Sequence, residues 1–106
     1  MENMIMKKQT GELLAITQVK LDSQAKTVLV AFRRHACRLP GLRLCCYVSG
    51  KFDFLLHIAV PDMAAFEGLL TEQLGAFPGI GYVETGFVLH SFPVTGQHGF
   101  KKRLMN

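Results

Sequence analysis

A short internal repeat constrains the fold of this chain of 106 residues more than any other feature. The segment Arg38-Leu39-Pro40-Gly41-Leu42 resembles Ala76-Phe77-Pro78-Gly79-Ile80, and both contain an apolar residue, Pro-Gly and a second apolar residue in that order. Each segment follows a helical pattern and precedes an apolar, strand-like run. Proline and glycine end helices, because proline lacks a backbone N–H and glycine readily adopts the left-handed conformation of a helix C-terminus. The repeat therefore predicts two similar helix-to-strand units.

Two amphipathic helices are predicted before the Pro-Gly pairs. Asp22 and Ser23 offer capping oxygens for the first helix, and Asp62 is the predicted N-cap of the second. The apolar stripe of the first helix is Ala25, Val28, Leu29, Phe32, Ala36 and Leu39, and that of the second is Phe66, Leu69, Leu70, Leu74 and Phe77. A spacing of three or four residues is typical of a helix that buries one face.

Four apolar runs complete the pattern as strands. They are Leu13–Val19, Leu42–Val48, Phe52–Val60 and Tyr82–Phe92. The order β-α-β-β-α-β in two similar halves is the split βαβ, ferredoxin-like pattern. We therefore predict an α+β domain in which two helices lie on one face of a four-stranded antiparallel sheet.

The alternation of residues along the predicted strand 52–60 indicates how the sheet is covered. One face carries Phe54, Leu56, Ile58 and Val60, and the other carries Leu55, His57 and Ala59. A sheet that is wetted on one side should be polar on that side. Charged residues also make up only 19% of the chain, below the usual quarter. We therefore predict that the chain dimerises through the face away from the helices.

One carboxylate, Asp53, follows the predicted turn Ser49-Gly50-Lys51. A carboxylate beside free N–H groups suits a ligand that carries both an ammonium and a carboxylate. Thr85 and Gly86 of the last strand could join this site from a neighbouring strand or subunit. The residues alone leave a second interpretation equally open, in which Asp53 only caps the turn.

Signatures of catalysis are scarce in the chain. It contains no glycine-rich phosphate loop, no HExxH and no G-x-S-x-G motif, so no catalytic residue, cofactor or metal is predicted. His57 and His90 could approach each other across central strands and form an acid–base or metal pair, but such histidines are more often hydrogen-bonded interface residues. The cysteines Cys37, Cys45 and Cys46 form no C-x-x-C pair and are expected to be buried, reduced thiols.

The remaining features bound the organisation of the chain. We expect a flexible lead-in over residues 1–11, one domain over 12–93 and a flexible basic tail over 94–106. The net charge is +4, but the sequence contains no motif that is known to bind in nucleic-acid grooves. No apolar run is long enough to span a bilayer, and we expect a cytoplasmic protein.

Several segments together resemble the effector domain of Lrp/AsnC transcription regulators. They are Pro40-Gly41-Leu42, residues 47–56 with their G-x-x-D turn, Val60-Pro61-Asp62, residues 77–80 and residues 84–89. The resemblance covers roughly Gly11 to Phe92. It implies a ferredoxin-like fold that dimerises through its sheet, assembles further into tetramers or octamers, and binds an amino-acid effector in clefts between dimers.

The resemblance also implies which residues contact the effector. Carried over by motif, they are Tyr47, Val48, Ser49, Gly50, Asp53, Thr85, Gly86 and Val88. Two departures from the family pattern stand out, since Ser49 replaces a common Thr and Gly86 replaces a frequent Ser. Family members usually bind DNA through an N-terminal helix-turn-helix domain, and nothing upstream of Leu13 predicts one.

Two other functions share the predicted order of elements. A small dimeric α+β barrel enzyme, such as a cofactor-free monooxygenase, would need a cavity between helices and sheet lined by His57 or His90. An amino-acid-binding module of the ACT type has the same fold. Only the spacing of the Pro-Gly pairs and the G-x-x-D turn argues against the ACT type, because this spacing resembles that of Lrp/AsnC effector domains.

Overall fold

The computed structural model describes residues 11–96 and 99–100. Its strands are β1 (Leu13–Leu21), β2 (Leu42–Tyr47), β3 (Phe54–Val60) and β4 (Ile80–Phe87), and its α-helices are α1 (Lys26–Ala36) and α2 (Met63–Gly68). The strands form one sheet in the order β2-β3-β1-β4, with antiparallel neighbours throughout. The predicted ferredoxin-like α+β fold is confirmed. Residues 1–10 of the predicted lead-in, and 97–98 and 101–106 of the predicted tail, lie outside the described residues.

The sheet places β1 and β3 in the centre and β2 and β4 at the edges. Thr17 of β1 lies opposite Leu56 of β3 on one side and opposite Thr85 of β4 on the other. Residues directly opposite each other share a face of the sheet, so this register determines which side chains meet on each face.

The core lies between the sheet and the helices. Phe54, Leu56, Ile58 and Val60 are all buried on the helix side, as the alternation predicts. Phe32 of α1 packs on this layer, with its ring centroid 4.8 Å from that of Phe54. One cluster contains buried apolar residues of both helices and of β1 and β3, so one core supports the whole sheet.

The two helices begin differently. Asp62 caps α2 as predicted, since its Oδ1 accepts the N–H of Ala65 at 2.8 Å. The predicted caps of α1 are wrong, because α1 begins at Lys26 after Ala25. Ser23 instead accepts the N–H of Ala25 at 3.1 Å and forms a short turn ahead of the helix.

The second helix does not end at Gly68. It continues through a π-helical turn, Leu69–Gln73, and a 3₁₀ turn, Leu74–Ala76. The carbonyl of Gln73 in the π-helical turn lies 2.7 Å from Nε2 of His35 on α1. This hydrogen bond ties the end of the helical segment to α1.

Five predicted strand limits are wrong. β1 ends at Leu21 rather than at Val19, β2 ends at Tyr47 rather than at Val48, and β4 begins at Ile80 rather than at Tyr82. The two other limits bear on the site. β4 ends at Phe87 rather than at Phe92, because its partner β1 begins at Leu13 and the last contact between them is Val88 N–H to Leu14 O at 2.9 Å. β3 begins at Phe54 rather than at Phe52, because residues 48–53 form the connection from β2. Both corrections are set by the pairing partner, which the local sequence does not identify.

The first Pro-Gly pair is held against the sheet by Gly41. Its φ is +82°, and a Cβ there would overlap the carbonyl oxygen of Ala59. The N–H of Ala59 donates to the carbonyl of Gly41 at 2.8 Å. Only glycine permits both this conformation and this approach, so the repeat marks a real structural requirement.

Candidate functional site

The sheet face away from the helices carries mostly apolar side chains, and no layer of described residues covers it. Pairing places on it Leu14, Ile16, Gln18 and Lys20 of β1, Leu44 and Cys46 of β2, Leu55, His57 and Ala59 of β3, and Tyr82, Glu84 and Gly86 of β4. We call this surface the open face. Leu44 is 52% exposed and Tyr82 is 57% exposed. Ile16 lies at its centre, opposite both His57 and Gly86.

The connection between β2 and β3 is a closed turn at one end of the sheet. The N–H of Val48 donates to the carbonyl of Asp53 at 2.9 Å and closes it. Gly50 has a φ of +107°, which favours glycine, and Ser49, Gly50 and Lys51 are exposed. The N–H groups of these three residues donate to no other described residue. The turn therefore presents unpaired donors to solvent.

Tyr47 precedes this turn at the end of the edge strand β2. Its side chain is on the helix side of the sheet, where its ring centroid lies 5.3 Å from that of Phe54. Tyr47 is nevertheless 65% exposed, because none of the described strands pairs with this edge of β2. It is thus available for contact with a further molecule.

Asp53 has contacts that neither sequence interpretation includes. The residue is only 6% exposed, and its Oδ2 accepts the N–H of Leu21 at 2.8 Å and Nε2 of Gln24 at 3.1 Å. Nζ of Lys20 lies 4.0 Å from the same oxygen. The carboxylate therefore joins the β2–β3 turn to the segment between β1 and α1.

Sequence reasoning also missed an aromatic contact that fixes the turn. Phe52 is 8% exposed and stacks on Tyr82 of β4, with ring centroids 5.9 Å apart and planes inclined by 19°. The turn thus reaches over the end of β1 to the first residues of β4. The apolar Phe52 beside the G-x-x-D carboxylate was the sequence signal for this contact.

The predicted contacts in the last strand lie elsewhere in the sheet. Thr85 faces the helices, where its Oγ1 lies 3.1 Å from Oγ1 of Thr17 and where it lines an apolar groove of about 310 Å³ with Leu70 and Leu74. Gly86 lies on the open face. Val88 follows the end of β4 and is 36% exposed.

One chain does not bring the two predicted halves of the site together. Tyr47, Val48, Ser49 and Gly50 adjoin β2, whereas Thr85 and Gly86 lie on β4 at the opposite edge of the sheet. Three strand spacings of about 4.8 Å separate these edges, or about 14 Å. This is too far for the ammonium and carboxylate of one amino acid to reach both.

The histidines do not form the predicted pair. His57 lies on the open face, opposite Ile16, and not between the helices and the sheet. His90 lies beyond β4, where its ring centroid is 4.6 Å from that of Phe92. The enzyme interpretation required these residues to line a cavity under the helices, and the placement of His57 contradicts it. Within the described part of the chain, no cluster of side chains could hold a metal ion.

The cysteines are free thiols, but the expectation that all are buried is wrong. Cys37 is exposed at the end of α1, and Cys45 and Cys46 are half-buried because β2 is an edge strand. Burial raises the pKa of the Cys45 thiol, the nearby Cys37 and Cys46 raise it further, and Arg33 lowers it. The neutral thiol of Cys45 therefore packs against the core as a small apolar group.

A match to a known protein family identifies the family of this chain. The model of the Lrp/AsnC ligand binding domain matches residues 14–97. The chain belongs to the Lrp/AsnC family. The match covers all the strands and helices described above except the first residue of β1, so it extends to both predicted halves of the site.

Curated relatives of this Lrp/AsnC domain are named as regulatory proteins. The leucine-responsive regulatory protein of Salmonella typhimurium is 33% identical over 93 residues, which are 88% of this chain and 57% of that protein. The Bkd operon transcriptional regulator of Pseudomonas aeruginosa is 28% identical over 82 residues, or 77% of this chain and 54% of that protein. The chain thus spans little more than half the length of these relatives.

Solved structures of other regulators share the fold of this Lrp/AsnC domain. A transcriptional regulator from Neisseria meningitidis, in complex with L-Met, superposes with a TM-score of 0.73 and 23% identity over 90% of this chain and 62% of that one. AsnC from E. coli has the same TM-score, with 15% identity over 92% of this chain and 64% of that one. In residues 11–96 and 99–100, no helix has the length and apolar content to cross a membrane.

Proposed function

We propose that this domain is the effector-sensing and oligomerisation domain of an Lrp/AsnC-type transcription regulator. It binds a small amino-acid-like effector between subunits and so changes assembly and transcription. One observation carries this proposal: the predicted effector contacts lie at opposite edges of one sheet. A second chain is therefore required to bring them into one cleft.

The open face supports dimerisation through the sheet. Leu44 is exposed on it and Ile16 and Leu55 are half-buried, and apolar surface that water reaches in the single chain marks an interface. Two copies that pack these faces together would bury it, while both edges of each sheet would stay available. Further association of dimers into tetramers or octamers would then place an edge of one dimer beside an edge of another.

The β2–β3 turn supports recognition of an amino-acid head group. The unpaired N–H groups of Ser49, Gly50 and Lys51 suit the carboxylate of the effector, because successive N–H groups form an anion-binding nest. Asp53 then adjoins the ammonium through Oδ1, since Oδ2 already accepts two hydrogen bonds. Tyr47, Val48, Thr85, Gly86 and Val88 complete the proposed contacts.

The names of two similar proteins indicate which amino acids should be tested first as ligands. One relative is called leucine-responsive, and one solved neighbour was crystallised with L-Met. We propose that the domain is not an enzyme, needs no cofactor and acts in the cytoplasm, with DNA contacted only through a helix-turn-helix domain.

Thermal unfolding with each common amino acid tests effector binding. A ligand present at a hundredfold excess over its Kd should stabilise the domain by about 2.7 kcal/mol, which raises the Tm. Light scattering on the same samples should show a change in mass with the amino acid that raises the Tm. If no amino acid changes either the Tm or the mass, effector sensing is wrong.

Two glycine variants provide a matched comparison for the site. Gly50→Ala and Gly79→Ala each place a Cβ at a positive φ, with no atom within 4 Å of it. Both should lose similar stability, because both strain the backbone in the same way. Only Gly50→Ala should also lose the Tm rise with the amino acid, and an equal loss in Gly79→Ala would contradict a site at the turn.

A further inference from the structure

Asp53 is held on three sides by hydrogen bonds. Its N–H donates to the carbonyl of Val19 at 2.8 Å, its carbonyl accepts the N–H of Val48 at 2.9 Å, and its Oδ2 accepts the N–H of Leu21 at 2.8 Å. These contacts connect the turn to the end of β1. The orientation of the carboxylate therefore depends on groups distant in the chain.

Gln24 adds a contact that reaches from the start of α1. Its Nε2 donates to the carbonyl of Leu21 at 2.9 Å and to Oδ2 of Asp53 at 3.1 Å. A side-chain amide has two N–H hydrogens, so both are used. Gln24 is an exposed residue directly before the N-cap Ala25, and packing against the core does not explain its conformation.

A positively charged side chain also lies near the carboxylate of Asp53. Lys20 lies 4.0 Å from Oδ2, and its side chain is 41% exposed. Gln24 and Lys20 thus both lie near Oδ2, and Oδ1 makes no hydrogen bond to a described residue. Without the amide, only the N–H of Leu21 and the more distant Lys20 would hold the carboxylate, so its orientation would vary more widely.

We propose that Gln24 is a positioning residue of the effector site. It orients the carboxylate of Asp53 so that Oδ1 faces the ammonium of an amino acid whose carboxylate binds the N–H groups of Ser49 and Gly50. The inference rests on the proposed function, since the amino acid at the turn is part of that proposal. Gln24 itself touches Asp53 and Leu21 and not the ligand.

Three variants of Gln24 separate positioning from stability. Gln24→Met keeps the length of the side chain but removes both hydrogen bonds, and Gln24→Lys supplies a donor again. Gln73→Met is the matched control, because the side chain of Gln73 is exposed and makes no hydrogen bond to a described residue. A hydrogen bond to a charged group corresponds to a factor of about ten in affinity.

Calorimetric titration with L-methionine and L-leucine gives the first result. Gln24→Met should bind about tenfold more weakly than the wild type, with a Tm close to that of Gln73→Met, and Gln24→Lys should recover most of the affinity. Wild-type affinity in Gln24→Met would overturn the positioning role. An equal loss in Gln24→Lys would also overturn it, because the donor would then be irrelevant.

Hydrogen exchange without ligand separates this inference from the proposed function. The amides of Leu21 and Val48 should exchange faster in Gln24→Met than in the wild type or in Gln73→Met, because they bond to Asp53. If none of the common amino acids binds the wild type in the thermal screen, the proposed function fails, whereas the exchange rates still test the contact between Gln24 and Asp53. Unchanged exchange at both amides would overturn the role of Gln24 irrespective of the titration.

Discussion

At the scale of single residues, Asp53 contributes to folding as well as to the proposed site. Asp53→Ala would leave the N–H of Leu21 without its partner in a buried position, at a cost of about 1–3 kcal/mol. Asp53→Asn keeps an oxygen that can accept this N–H, so it should cost less. Urea unfolding of the two variants and the wild type measures the difference, and equal losses would show that the hydrogen bond to Leu21 is not the cause.

The sequence predicts the turn around Gly50, but it does not predict the contacts that this turn makes with residues far away in the sequence. Gly50 and its neighbours form the expected turn, because turn-forming residues act over a few positions. The contacts of Asp53 with Leu21 and Gln24 join residues 32 and 29 positions apart, and no local pattern contains such a pairing. The opposite edges occupied by Gly50 and Thr85 likewise follow only from the strand order.

At the scale of elements, the two predicted N-caps provide a direct test. Asp62 accepts the N–H of Ala65, whereas the side chain of Asp22 makes no hydrogen bond to a described residue. Asp62→Ala should therefore lower the free energy of unfolding by about 1 kcal/mol, and Asp22→Ala should change it much less. Chemical denaturation checks both, and the reverse order would contradict the assignment of the α2 cap.

Element boundaries were predictable where the signal is local. The cap Asp62 and the Pro-Gly pairs follow from the preferences of those residues, and the structure confirms them. The start of α1 was not predictable, because Ser23 bonds to Ala25. The end of β4 depends on where β1 begins. Long-range pairing thus overrides local propensity at these positions.

At the scale of the whole molecule, the open face is the feature that the single chain does not explain. The alternation in residues 52–60 predicted an apolar second face, and Leu55 and Ala59 lie on it. Ile16 at its centre is half-buried, with Gly86 opposite it. A carboxylate at Ile16 should be tolerated in an isolated chain but not in a packed interface, because burying an unpaired charge is costly.

The mass of the domain in solution at micromolar concentration tests the central claim most directly. Light scattering should give at least twice 11.8 kDa for the wild type and for Ala64→Glu, which adds the same charge on the exposed side of α2. Ile16→Glu should give 11.8 kDa with an unchanged circular dichroism spectrum. A wild type of 11.8 kDa, or a folded Ile16→Glu that keeps the wild-type mass, would contradict assembly through the open face.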